Sequence, residues 1–158
     1  MSATSSKFFL EVDETSQLCP AGQKAGKQNM AEGKIPVLSC EGGCIRGEIA
    51  RVAANMVAKE EAYGRGCHGE LLCVPHSAIA EWIKSAERVV LIDGCFLKCH
   101  GRIFKNLLDE DRLIVFDALS HYNKYTDLFL IDDVPETERT ETARSVADWV
   151  LASLKDGS

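Results

Sequence analysis

A chain of 158 residues with 46 % hydrophobic and 27 % charged residues has the length and composition of one globular domain with a substantial core. Its net charge of −6 and pI near 5.2 argue against a general affinity for nucleic acid or anionic membrane. No apolar run approaches the roughly 18 residues of a membrane span. Lys7-Phe8-Phe9-Leu10 is too short for a signal-peptide core, so the expected compartment is the cytoplasm. The seven cysteines are odd in number, and in a reducing compartment clustered cysteines point to metal or redox chemistry rather than disulfides.

Residues 1–34 lack apolar periodicity and predict a flexible N-terminal arm. Phe8, Phe9, Leu10 and Val12 could add a short strand or dock on the core, and Cys19 reads as an exposed free thiol. Residues 35–156 predict a single α/β domain. Ile35–Ser39 is a strand, followed by a helix from near Cys44 to Ala62 with Ile45, Ile49, Val52, Ala53, Met56 and Val57 on one face. Tyr63-Gly64-Arg65-Gly66 reads as its terminator. A second strand is expected over Glu70–Val74, and a helix after Pro75 to about Ala86. Arg88–Ile92 is the third strand, Cys95–Leu108 a helix and Leu113–Phe116 the fourth strand. His121-Tyr122-Asn123-Lys124 reads as a polar loop, and Leu128–Ile131 as a short fifth strand. Pro135 and an acidic first turn start a last helix that reaches Leu154.

Strands alternating with helices predict a three-layer αβα fold with a mostly parallel sheet, Rossmann-like or flavodoxin-like. Such sheets place ligands beyond the carboxyl ends of their strands. On the predicted boundaries Cys40, Cys73, Cys95 and Asp117 lie there. The central stretch is Val89-Val90-Leu91-Ile92-Asp93-Gly94-Cys95, whose Cys95 and Cys99 are four apart. Cys40 and Cys44 repeat that arrangement after the first strand. On a helix, residues four apart share a face, and a first turn with unpaired N–H groups favours thiolate.

Thiolates gathered in this way predict a site for a thiophilic metal, zinc first, with copper(I) or an iron–sulfur cluster as the other choices. The candidate ligands are Cys40, Cys73, Cys95 and Cys99, with Cys44 competing for one position. Four thiolates on Zn²⁺ would leave a charge of about −2, which helix N-termini would offset. Asp93 is expected outside the ligand set, orienting a ligand or accepting a backbone N–H. His76 and His100 are possible substitutes but read as ordinary surface or capping residues, and His68 and His121 as surface. Cys67 precedes the expected second strand and is therefore placed at the opposite sheet edge.

Two other chemistries fit parts of the pattern. Cys40-x5-Arg46 has the spacing in which a backbone loop and a guanidinium cradle a phosphate or arsenate for thiolate attack. Gly47 stands where a Ser is expected, however, and no Asp-Pro supplies a proton to the leaving group. Cys40/Cys44 or Cys95/Cys99 could instead cycle between dithiol and disulfide, or carry persulfide. Gly42-x-Cys44-x-x-Gly47 is a poor dinucleotide fingerprint, because cysteine replaces its middle glycine.

Ile92-Asp93-Gly94-Cys95 followed by Cys99, with Cys40-x-Gly42-Gly43 opening a helix through Gly47 and Ile49-Ala50, resembles the DGC-domain family over roughly 37–117. That resemblance implies zinc binding through four cysteines, which by position are Cys40, Cys73, Cys95 and Cys99. Cys44 looks like an addition in this chain.

Overall fold

The computed structural model describes residues 6–157. At its centre the run Val89–Asp93 forms a strand with every residue buried, as four consecutive aliphatic residues require of a strand covered on both faces. Strands β1 (Ile35–Ser39), β2 (Tyr63–Arg65), β3 (Val89–Asp93) and β4 (Leu113–Asp117) form one sheet in the order β2-β1-β3-β4, and all three pairings are parallel. Parallel neighbours need crossovers, and helices supply them.

Side-chain alternation then splits the core in two. Val37, Val90 and Ile92 pack beneath α2 (Ile45–Val57) and α7 (Glu136–Asp156), with Ile49, Ala53, Val146 and Val150 among the buried partners. Leu38, Val89 and Leu91 face the other layer, where α4 (Ala78–Ser85) brings Ile79, Trp82 and Ile83, and Phe104 and Leu108 complete the cluster. The three-layer α/β architecture expected from the alternation of elements is therefore present. No helix among the described residues is long and apolar enough to cross a membrane.

Several boundaries differ from expectation. The first is the arm, whose second half is helix α1 (Pro20–Ala31) with Pro20 in its first turn and Cys19 Sγ accepting the Gly22 N–H. It docks on α4: Gln23 Oε1 accepts the Ala78 N–H at 2.7 Å, and a Cβ on Gly26 would meet the Ala78 carbonyl carbon at 2.5 Å. Phe8, Phe9 and Leu10 precede it with exposed side chains and no strand.

Helix α2 stops at Val57 rather than Ala62, because Tyr63-Gly64-Arg65 is not a terminator but strand β2. A Cβ on Gly64 would lie 3.0 Å from both Asn29 and Trp82, so glycine here serves close packing. Glu70–Val74 is not a strand. Its apolar Leu71-Leu72 belongs to the short helix α3 (His68–Cys73), with Leu71 buried in the core; a run of that length fits helix and strand equally. The expected helix over Cys95–Leu108 is reduced to α5 (Cys99–Phe104), because Lys98 takes a left-handed conformation, φ 46°, at its start. His121 and Tyr122 lie in α6 (Ala118–Tyr122) rather than a loop, and the expected fifth strand is replaced by a 3-10 turn at Ile131–Asp133.

Candidate metal centre

These corrections move the cysteines. Cys40 follows β1 as expected and is 9 % exposed, but Cys44 caps the N-terminus of α2, accepting the Gly47 N–H, and does not share a helix face with it. Cys95 lies in the turn after β3, whereas Cys99 opens α5 and is exposed; Lys98 breaks the helix that would have aligned them. Cys73 is exposed at the end of α3, so it does not end a strand. Cys67, expected at the opposite edge, follows β2 and stands at the same carboxyl edge as Cys40, exposed. All seven cysteines are free thiols.

What the carboxyl edge brings together is a different trio. Ligand atoms of Cys40, Asp93 and His100 all lie within 4.8 Å of one another. Pairing of β1 with β3 sets Ser39 against Ile92, which puts Cys40 and Asp93 side by side one residue on. Helix α5 then folds its first turn over Asp93. The buried Asp93 carboxylate accepts the Gly101 N–H at 2.9 Å and, less closely, the His100 N–H at 3.4 Å. A Cβ on Gly101 would sit 2.9 Å from Asp93 Oδ2, so only glycine allows this approach. Gly94 has the same duty towards α2, where a Cβ would meet the Arg46 oxygen at 3.0 Å. The Asp-Gly pair is thus a strand end squeezed between two helix starts.

The electrostatics follow from burial. Burial pushes the Asp93 carboxyl up from its ordinary value, against the opposing pull of the Gly101 N–H and His100. Burial also pushes the Cys40 thiol up, although the Gly42 and Gly94 N–H groups donate towards its sulfur. His100 Nδ1 is buried without a hydrogen-bond partner, 3.8 Å from Asp93 Oδ1. A sulfur, a carboxylate oxygen and an orphaned imidazole nitrogen, all desolvated, are donors that a divalent cation would satisfy together. Residues 36–145 match the model of the DGC domain. The chain belongs to the DGC domain family. Comparison with curated proteins and with solved structures returns no match.

In this DGC domain, two histidines outside the favoured cysteine set therefore matter. His100, a possible substitute ligand that reads as a capping residue, presents a ring nitrogen to Cys40 and Asp93 at the strand ends. His68, read as surface, has a side chain only 22 % exposed, and its ring centroid is 4.8 Å from that of His100. Neither carries a spacing signal, since the strand order alone makes them neighbours. Arg46, the arginine of the C-x5-R sequence, donates to the carbonyl oxygens of Tyr125 at 3.1 Å and Thr126 at 2.9 Å. It braces that loop, which leaves the Cys40 turn without the guanidinium a phosphate cradle would use.

Proposed function

We propose that this DGC domain is a zinc-binding protein of the cytoplasm, holding the ion at the carboxyl edge of its sheet through Cys40, Asp93 and His100. One observation carries the reading: three ligating side chains from β1, β3 and α5 converge within 4.8 Å, one of them with an unpartnered buried nitrogen. The donor types support zinc, which accepts thiolate, imidazole and carboxylate in tetrahedral sites. Any further sulfur donor is drawn from Cys44, Cys73, Cys95 and Cys99, the remaining cysteines of the expected set.

Bound zinc would supply positive charge that holds Cys40 as thiolate and Asp93 as carboxylate, both of which burial disfavours in the free protein. The thiol-redox alternative has a narrower basis, the placement of Cys40 and Cys44 in one turn between β1 and α2. Elemental analysis of protein purified without a metal column separates the two. About one equivalent of zinc is expected, lost with Cys40→Ala, and chelation should unmask the Cys40 thiol. A metal-free protein whose Cys40 and Cys44 pair under mild oxidation would overturn the zinc reading.

A further inference from the structure

We infer that His68 is the fourth metal donor, so that the site is a mixed Cys40–Asp93–His100–His68 centre rather than a cluster of thiolates. The inference rests on the zinc reading above and specifies its ligand set. Its starting point is a pair of half-buried imidazoles, each with one unpartnered nitrogen. The His68 and His100 rings are 4.8 Å apart, and the Nδ1 atom of each is fully buried with no hydrogen-bond partner. A buried unpaired nitrogen is destabilising by itself. His100 already belongs to the trio, and the His68 ring is in contact with it, so a small rotation of His68 would let one cation resolve both nitrogens.

The opposite side of the His68 ring is already arranged. Its Nε2 lies 3.8 Å from Glu41 Oε1. That carboxylate is fixed in turn by Arg65 Nη2 at 2.9 Å and by the Ser39 hydroxyl at 2.9 Å. Arg65 is itself tied to Asn55 Oδ1 and to the Val37 and Gly66 carbonyl oxygens. A carboxylate near one nitrogen, with the other nitrogen unpartnered, places His68 within a small movement of the carboxylate support common to metal-ligating imidazoles.

Topology explains why these four residues share one edge. Strand order β2-β1-β3 sets three adjacent carboxyl ends side by side. The end of β2 leads into His68 at the start of α3, that of β1 into Cys40 and that of β3 into Asp93, while α5 returns His100 over the top. Charge favours this set over four sulfurs. One thiolate and one carboxylate neutralise a divalent ion, whereas four thiolates would leave a net negative charge at an edge where Cys40 and Asp93 are buried. The centre would accept zinc or another divalent cation of borderline softness, such as cobalt(II).

Cobalt(II) and zinc titrations of the full chain against a competing chelator test this, with circular dichroism confirming that each variant folds. The expected results are a sulfur-to-cobalt charge-transfer band of one thiolate's intensity and a large loss of affinity in His68→Gln. Glu41→Gln, which removes the charge behind His68 together with its Arg65 ion pair, should lose on the order of 10-fold. Cys44→Ser, Cys73→Ser, Cys95→Ser and Cys99→Ser should bind as the parent does. Parental affinity in His68→Gln, with metal lost in one of those cysteine variants, would overturn the inference and leave the zinc reading standing. A parent chain that takes up neither ion would overturn both.

Discussion

Single residues decide whether the carboxyl edge is a site or merely a strand end. Gly101 is the clearest instance, because any side chain there meets Asp93 Oδ2 at 2.9 Å. In Gly101→Ala, α5 has to move off Asp93 and carry His100 with it. Overpacking of this kind costs about 1–3 kcal/mol, so urea unfolding of the metal-free protein should show a lower midpoint, and zinc affinity should fall. Unchanged stability and affinity would mean that α5 is not seated on Asp93. His68 supports a prediction about pH. Its folded-state pKa lies below the ordinary 6.5, through burial first and His100 second. The unfolded chain therefore binds a proton before the folded one does, and stability contributed by neutral His68 is lost as pH falls below about 6.5. In metal-free protein the urea midpoint should drop between about pH 7.5 and 5.5, and His68→Gln should flatten that slope. A slope identical in parent and variant would show that the ring titrates as if exposed.

At the scale of elements, the helices do unequal work. α2 and α7 bury Ile49, Ala53, Val146 and Val150 against one sheet face, and their apolar residues recur at the helical period. α1 differs: it is polar along most of its length, and Gly26 is its buried residue. Its attachment rests on that glycine, on Ala25 at the edge of the core, and on Gln23 capping the Ala78 N–H. Gly26→Ala should therefore separate α1 from α4 despite raising helix propensity, since the new methyl would overlap the Ala78–Ile79 backbone. Limited proteolysis would read this as new cleavage within 20–31, while the sheet and the Cys40–Asp93–His100 group stay intact. Resistance equal to that of the parent would show that α1 is held elsewhere. The short α3 and α5 make a different contribution. Six residues each, they have little helical stability of their own, and they carry His68 and His100, whose rings meet at the carboxyl edge.

Across the whole molecule, what was legible in the sequence is what local pattern controls. The run Val89–Asp93 announces a buried central strand, and the 3.6-residue recurrence from Ile45 to Val57 announces a helix that covers it. Alternation of the two imposes a parallel three-layer sheet, whose carboxyl edge carries Cys40 and Asp93. Short and glycine-bearing segments were not legible, because their conformation is fixed by partners distant in the chain. Tyr63-Gly64-Arg65 is a strand only because β1 offers it an edge to pair with, and Glu70–Cys73 is helical only because Leu71 finds the core by that route. Those two assignments moved Cys73 away from a strand end and brought Cys67 and His68 to the carboxyl edge. Sequence by itself thus determined the fold class, the family and the edge at which to look. Which side chains meet there was decided by the tertiary structure, because His68 and His100 become neighbours through strand order and through a left-handed Lys98 that turns α5 back over Asp93. Neither the strand order nor that turn leaves a periodic trace in the chain.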